Sequence, residues 1–247
     1  MSTIIKFFYL ILYQPILNGL IAIYNTIAFH DMGVAVILLT LIIRLIIFPS
    51  SIKTIKSQKA LNRIQPKMKE IQRKYKDDKE KQSRELFKLY KEEKVSPFSG
   101  CLPLLLQLPI LIALYQVFLD GLKPESLIAS LYSFVTNPGL INFNFLGVID
   151  LSKFFMTKIG QTTIYYWPAL ILSVLAGIAQ FFQTKITIPQ QPQKNKKDAS
   201  VYFQKQMLYF MPAFTVFIIL KFGSVIGLYW LVTTISSIVE YKLVNKR

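Results

Sequence analysis

"LLTLIIRLIIFPSSIK", residues 38–53, belongs to an apolar run long enough to cross a bilayer, and Arg44 lies near its middle. A guanidinium at that depth costs at least about 2.5–3.5 kcal/mol on insertion scales. Ionisable residues inside membrane spans therefore tend to be functional. Arg44 is the first candidate functional residue of the chain.

Composition sets the class of protein. The chain has 247 residues, of which 53% are apolar, and its formal net charge is +16. The basic residues concentrate between the apolar runs, which is typical of a polytopic membrane protein and not of a DNA-binding protein. One cysteine and one histidine exclude a disulfide framework, and we expect no metal site and no cofactor.

The apolar runs predict five transmembrane helices, because a span needs roughly 20 apolar residues. The segment "LKFGSV" separates the last two, which we expect to form a hairpin. The predicted spans are residues 32–52, 99–119, 164–184, 206–220 and 224–241.

The N-terminal segment, residues 1–31, contains Pro15 and Asn18 within an apolar stretch. We expect an amphipathic helix that lies along the outer face of the membrane, with tyrosines 9, 13 and 24 at the boundary between lipid and water. An additional spanning helix is the alternative. A signal peptide fits less well, since the segment shows no convincing cleavage site.

The charges of the connecting segments predict the orientation. Residues 53–98 contain 15 basic and 7 acidic residues, and both the 185–205 loop and the 242–247 tail are basic. The long 120–163 connection instead balances three basic against three acidic residues. Cytoplasmic loops carry the excess of Lys and Arg. We therefore expect the N-terminus and the 120–163 loop outside, and the other connections and the C-terminus in the cytoplasm.

Residues 53–98 predict a cytoplasmic helical hairpin. Apolar residues recur at spacings of three and four before "YKDDKE", and a second amphipathic helix follows. Pro66 is expected to kink the first helix or to start a new one. The segment is either a solvated spacer or a hairpin whose apolar stripe is a docking surface. The residues of that docking surface would be Leu61, Ile64, Met68, Ile71, Tyr75, Leu86 and Tyr90.

Several spans carry polar residues besides Arg44. Thr40 lies one turn before Arg44 on the same face of the first span. Polar groups inside a membrane usually face one another or water. We therefore expect a wet cavity bounded by the bundle, to which the other polar residues of the spans would contribute: Gln107, Gln116, Gln180, Gln183, Tyr229, Trp230, Thr233, Thr234, Ser236 and Ser237.

Three simpler interpretations of these residues compete. Lys53 is nine residues from Arg44, about 13 Å along a helix, which is too far for simple snorkelling. The acids near the spans, Asp31, Asp120 and Glu240, lie at helix ends, so a mid-depth ion pair lacks a partner. The neutral polar residues could be ordinary interhelical contacts. An unpaired cation in a wet cavity is the interpretation that we favour.

Four stretches carry a resemblance to a known family: "RLIIFPSSIKTIKSQKALNRIQPKMKEIQ", "LYKEEKVSPFSGCLPLLLQLPILIALYQVF", "FMPAFTVFIIL" and "GLYWLVTTISSIVE". They resemble the bacterial YidC membrane insertases of the YidC/Oxa1/Alb3 family, from about residue 15 to the end. The most specific features are the mid-span arginine with a proline five residues on, "QPK", and "SGCLPLLLQLPI".

The resemblance implies an all-α polytopic membrane protein with five helices around a hydrophilic groove, a cytoplasmic hairpin and an N-terminal interfacial helix. The implied function is insertion and chaperoning of membrane proteins, alone or beside the Sec translocon, with the ribosome as a further partner. No nucleotide or metal is implied. Arg44 would be the groove arginine, and Thr40, Gln180 and Trp230 match groove positions; Gln183, Tyr229 and Thr233 complete the candidate set.

The expected mechanism uses no covalent chemistry. An acidic tail of a nascent membrane protein would be held by Arg44, while its apolar part slides along the third and fifth spans into lipid. An intramembrane enzyme would need a nucleophile with its base, paired acids or a metal motif in the spans, and we find none. A channel or transporter is the alternative, but in-span Asp, Glu or His, which ion coupling usually requires, is lacking at mid-depth.

Overall fold

The computed structural model describes residues 3–96, 102–159, 162–187 and 199–246, with the side chains of 102–106, 159, 199–205 and 246 left out. The described chain is mostly helical, which confirms the all-α class. It divides into two compact units, residues 1–46 with 109–239, and residues 47–108 with 240–247.

Helices account for most of the first unit, and several run past its bounds. The described helices are α1 Thr3–Phe8, α2 Gln14–Thr26, α3 Met32–Lys74, α4 Lys79–Glu92, α5 Leu102–Gln116, α6 Pro124–Ser130, α7 Trp167–Thr187, α8 Ala199–Phe222 and α9 Ser224–Lys246. Two π-helical turns join them, Tyr9–Tyr13 between α1 and α2, and Val117–Gly121 after α5.

The N-terminal helix is part of the core of the first unit. Leu17, Leu20 and Ile21 are fully buried, and Pro15 and Asn18 lie inside the helix without ending it. The segment Thr3–Thr26 is also long and apolar enough to cross a membrane. Its placement at the interface stays a prediction, with the spanning alternative still open.

Four segments qualify as membrane spans by length and composition within the described residues. Two shorter apolar helical stretches, Gln107–Gly121 and Gln206–Phe222, fall below that length. The longer segments are Thr3–Thr26, Met32–Lys74, Trp167–Thr187 and Ser224–Asn245. The predicted count of five core spans stays a prediction, and residues 99–101 of the predicted second span lie outside the described part.

Helix α3 continues well beyond the predicted first span. It runs from Met32 to Lys74 and contains both Pro49 and Pro66. Pro66 therefore does not start a new helix. A proline inside a helix removes one backbone hydrogen bond and crowds the preceding turn, and the remaining bonds on either side can carry the helix through.

Helices α8 and α9 meet at a tight turn. Helix α8 ends at Phe222 and α9 begins at Ser224, with Gly223 between them at a φ of 98°. This left-handed conformation favours glycine. Residues 188–198 of the predicted 185–205 loop lie outside the described residues.

The 120–163 connection has its own secondary structure. After α6, strands β1 Asn144–Phe145 and β2 Ile149–Asp150 pair antiparallel, with Phe145 opposite Ile149. Strands β3 Met156–Ile159 and β4 Thr162–Tyr165 form a second antiparallel pair, with Met156 opposite Tyr165. Helix α7 follows directly, three residues later than the predicted start at residue 164.

The second unit contains the predicted hairpin. The C-terminal part of α3 and helix α4 are joined by residues 75–78, and Asp78 caps α4 by accepting a hydrogen bond from the Lys81 amide at 2.9 Å. Ile64 and Leu89 are buried between the two helices. The Lys59 ammonium also donates to the Val244 carbonyl at 3.4 Å, which ties the end of α9 to this unit.

Candidate functional site

Arg44 is half-buried in α3, and the next residues, Leu45 and Ile46, are more than 70% exposed. The apolar surface beside the arginine is therefore exposed in the folded chain. Arg44 is not without an interaction partner in the folded chain, which corrects the expectation of an unpaired cation. The unusual feature that remains is a fixed positive charge within an apolar segment.

Thr40, one turn before Arg44, is only 2% exposed. Its hydroxyl donates to the Val36 carbonyl at 2.6 Å, so its hydrogen is used within its own helix. This back-bonding is a common way to satisfy a hydroxyl inside a helix. Thr40 can therefore act toward a cavity only as an acceptor, through the lone pairs of its oxygen.

Gln180 of α7 and Trp230 of α9 are brought together. The indole Nε1 of Trp230 donates to Oε1 of Gln180 at 3.3 Å, and both side chains are half-buried. These residues are 50 positions apart, and both were predicted from sequence as groove residues. A groove that joins this pair to Arg44 stays a prediction.

The other predicted groove residues differ in burial. Tyr229 is buried, and Gln183 is half-buried. Thr233 is 93% buried, and its hydroxyl has no hydrogen-bond partner among the described residues. Ser236 and Ser237 donate to the carbonyls one turn earlier, Val232 and Thr233, at 2.8 and 3.0 Å. Those two serines are therefore satisfied within α9.

An apolar groove of about 410 Å³ lies between α7 and α8. Gly177 makes the close helix approach possible, because a Cβ there would lie 2.6 Å from Cγ2 of Val216. The sequence predicted apolar sliding along the third and fifth spans, whereas this groove involves the third and fourth. Its lining residues are Val174, Gly177, Ile178, Phe181, Phe182, Pro212, Ala213 and Val216.

The apolar residues of the hairpin pack the C-terminal part of α3 against α4. Ile64 is 1% exposed, and around the buried core lie Leu61, Met68, Ile71 and Tyr90. Burial raises the pKa of the Tyr90 hydroxyl. Tyr75 and Leu86 are half-buried as well, and Phe87 is 67% exposed. A docking role for these residues stays a prediction, and Phe87 is the large apolar side chain that α4 leaves open.

A buried polar contact was missed by the sequence reasoning. Asn18 of α2 is 2% exposed and binds the backbone at the end of α6 through its side-chain amide. The sequence marked Asn18 only as an interruption of an apolar run. The signal available in the sequence was a single polar residue on an apolar helix face. That signal cannot predict a partner 112 residues away.

The fold and these residues define a class: a helical, multi-pass membrane protein with a cation and several amide and hydroxyl groups inside its spans. The sequence model of the 60Kd inner membrane protein family matches residues 22–247. The chain belongs to this family.

Relatives of known name agree with this assignment. "Membrane protein insertase YidC" of Syntrophobacter fumaroxidans is 36% identical over 221 residues, covering 88% of this chain and 35% of that protein. "Membrane protein insertase YidC 1" of Listeria monocytogenes is 34% identical, covering 86% and 63%. "Membrane protein insertase YidC" of Clostridium tetani is 35% identical, covering 81% of this chain and 76% of that protein. The chain thus spans about a third to three quarters of these relatives.

Proposed function

We propose that this chain is a membrane protein insertase and chaperone that works through a positively charged hydrophilic groove. The observation that carries the proposal is Arg44, a fixed cation inside an apolar segment of a family whose relatives are named insertases. No covalent step is needed, because moving a polar segment part-way across a membrane requires a binding site for charge and a path for apolar side chains.

The proposed groove is formed by side chains from the first, third and fifth predicted spans. The contact between Gln180 and Trp230 supports it, since it places two polar groups of different helices together. The proposal requires the positive charge of Arg44 and does not require an empty hydrogen-bonding site. The full set is Arg44, Thr40, Gln180, Gln183, Tyr229, Trp230 and Thr233.

The proposed substrates are nascent membrane proteins with short acidic extracytoplasmic tails. Two opposite charges 4 Å apart attract by about 1 kcal/mol in water and by about 4 kcal/mol at an effective dielectric of 20. A carboxylate in the groove is therefore held more strongly than one in solution. Transfer of the apolar part into lipid then drives release, helped by the membrane potential at roughly 2.3 kcal/mol per charge per 100 mV.

The proposed setting is the bacterial plasma membrane, with the N-terminus outside and the C-terminus in the cytoplasm. The 15 basic residues between positions 53 and 98 support this orientation. The Sec translocon and the ribosome are proposed partners, and the hairpin of α3 and α4 would receive the substrate. The relatives, which are named insertases, do not favour the alternative of a channel or transporter.

The test is insertion of a single-span substrate with an acidic N-terminal tail into proteoliposomes. We expect Arg44→Lys to retain insertion, because the charge is kept. Arg44→Ala should lower the insertion rate roughly tenfold or more, which corresponds to at least about 1.4 kcal/mol of lost attraction. A substrate whose tail carries Lys in place of the acids should be inserted poorly by all three proteins.

Lys158→Ala is the matched control, since it removes one positive charge from an exposed position of the 120–163 connection. It should insert as well as the unmodified protein. Equal insertion by folded Arg44→Ala and Lys158→Ala would contradict the proposed role of Arg44.

A further inference from the structure

Four large apolar side chains are exposed where two turns meet in the first unit. Ile27 and Phe29 belong to the turn between α2 and α3, and Leu146 and Val148 to the turn between β1 and β2. Their exposed fractions are 54%, 90%, 68% and 76%. We call these four residues the apolar corner. Large apolar side chains exposed together on two joined turns are candidates for a site of interaction.

The Asp31 carboxylate holds the two turns together. Oδ1 accepts a hydrogen bond from the Val34 amide at 3.0 Å, which caps α3, and Oδ2 accepts one from the Leu146 amide at 2.7 Å. The ring of Phe145 also lies directly on Gly33, where a Cβ would overlap it. The tip of the β1–β2 turn is therefore bound to Asp31, which follows Phe29 by two residues in the chain.

A second contact fixes the same arrangement. The Tyr24 hydroxyl accepts a hydrogen bond from the Asn142 amide at 2.8 Å, and the Tyr24 side chain is 1% exposed. The β1–β2 segment is thus bound to α2 as well as to the start of α3. The apolar corner is a built feature of the fold and not the tip of a loose loop.

The backbone conformation at two positions of the apolar corner is one that bulky side chains rarely adopt. Phe29 and Leu146 both have a φ of 52°, a conformation in which bulky side chains are rare. Leu146 and Gly147 are the central residues of a turn closed by the Val148 amide on the Phe145 carbonyl at 3.1 Å. Turns with positive φ at both central positions favour Asn, Asp or Gly there. Local conformation therefore does not explain a leucine at this tip.

The predicted length of the first span favours a membrane boundary at the corner. Residues 32–52 contain no charged residue except Arg44, and Lys53 follows. At 1.5 Å per residue they cover about 30 Å, the full thickness of a hydrocarbon core. This length predicts that Met32 lies at one edge of the hydrocarbon core, with Phe29 within one helical turn of that edge.

We propose that the apolar corner inserts into the boundary between lipid headgroups and acyl chains and so seats this end of α3 in the bilayer. The corner lies directly before a helix that is long and apolar enough to span a membrane. Residues 27–34 and 142–149 contain no lysine, arginine or glutamate that would resist insertion, and their one carboxylate, Asp31, is occupied by two backbone amides. The proposal does not depend on the insertase function.

The test measures depth with a spin label on the full chain in vesicles of phosphatidylethanolamine and phosphatidylglycerol. Cys101→Ser removes the native thiol, and a nitroxide is attached at Leu146→Cys or, in a separate protein, at Val148→Cys. We expect relaxation by oxygen to be high at both sites. Relaxation by a water-soluble nickel chelate should be several-fold lower than for a label at the exposed Lys158→Cys.

Asp31→Ala provides an internal check. Without its carboxylate the β1–β2 turn loses its bond to the start of α3, so chelate access at position 146 should rise while access at 158 stays the same. Chelate access at both 146 and 148 equal to that at 158 would overturn the proposal. Because these vesicles contain no other protein, such a result would mean that lipid alone does not cover the corner. The corner would then be assigned to a protein partner.

Discussion

Asn18 shows how one buried polar side chain fixes a segment. Its Nδ2 donates to the Gln14 carbonyl at 2.9 Å and to the Ser130 carbonyl at 3.0 Å, and its Oδ1 accepts from the Tyr132 amide at 2.7 Å. Ser130 ends α6, where helix carbonyls lack partners within the helix. Asn18 therefore binds the end of α6 to α2.

We expect Asn18→Leu to destabilise the protein by about 1–3 kcal/mol, because it leaves the Tyr132 amide without its acceptor. The measurement is the midpoint of unfolding as SDS is titrated into mixed micelles. Asn25→Leu is the matched control on the same helix, since its amide donates to the Thr136 carbonyl at 2.7 Å in an exposed position. That change should shift stability by no more than about 0.5 kcal/mol. Equal shifts for the two variants would refute the assigned role.

The sequence could identify some single residues as candidates, but it could not predict the contacts that they make. Arg44 could be identified from sequence, since a charge in an apolar run stands out without knowledge of any contact. Thr40 and Trp230 could be named as polar residues in spans, but not their bonds. Thr40 donates to its own helix, and Trp230 donates to Gln180. The choice among many nearby acceptors depends on how the helices pack.

The hairpin of α3 and α4 shows what one element adds to its residues. Its apolar stripe closes the two helices on each other, and the Glu93 carboxylate joins them through charge. Arg63 Nη2 lies 3.1 Å from Oε2 of Glu93, and Lys67 Nζ lies 2.6 Å from Oε1. The hydrogen bond from Lys67, together with the attraction of Lys67 and Arg63, holds the pKa of Glu93 below its usual range.

We expect the hairpin to loosen in acid because the folded pKa of Glu93 is depressed. Its contribution is fully present above the ordinary glutamate pKa and is lost as the pH falls through the lower, folded value. Hydrogen exchange of the α4 amides, corrected for intrinsic rates, should show protection declining over that range. Glu93→Gln should show lower protection at neutral pH and little change with pH.

Glu80→Gln is the control for this measurement. Glu80 pairs with Arg84 one turn away on the same helix at 2.8 Å, and both side chains are exposed. Such a pair does not join the two helices, and exposed pairs contribute little. Its exchange profile should match that of the unmodified protein. A Glu93→Gln profile that also matched would show that the ion pairs do not hold the hairpin closed.

At the scale of the whole molecule, the distribution of charge and hydropathy determines how the chain lies in a membrane. The net charge of +16 is concentrated in the segments predicted to face the cytoplasm, while the 120–163 connection is balanced. Each charged loop must stay on the side where the positive-inside rule favours it. The family and the apolar helices support a multi-pass membrane protein, and the orientation is the part that needs a test.

We expect a thiol at Asn137→Cys to react with a membrane-impermeant maleimide added to intact cells, in a Cys101→Ser background. A thiol at Phe87→Cys, on the exposed face of α4, should react only after the membrane is permeabilised. Both positions are exposed, so accessibility within the fold does not bias the comparison. Labelling in the reverse pattern would contradict the proposed orientation.

The sequence by itself determined the membrane class, the approximate limits of the apolar segments and the position of Arg44. These depend on the summed hydropathy and charge of each segment, which need no knowledge of other segments. Only the tertiary structure decided the partners of Asn18, Asp31 and Gln180, which lie 112, 115 and 50 residues away. It also decided the positive φ of Phe29 and Leu146. Such contacts and backbone conformations depend on how distant segments pack, because each polar group accepts many partners and no local pattern selects among them.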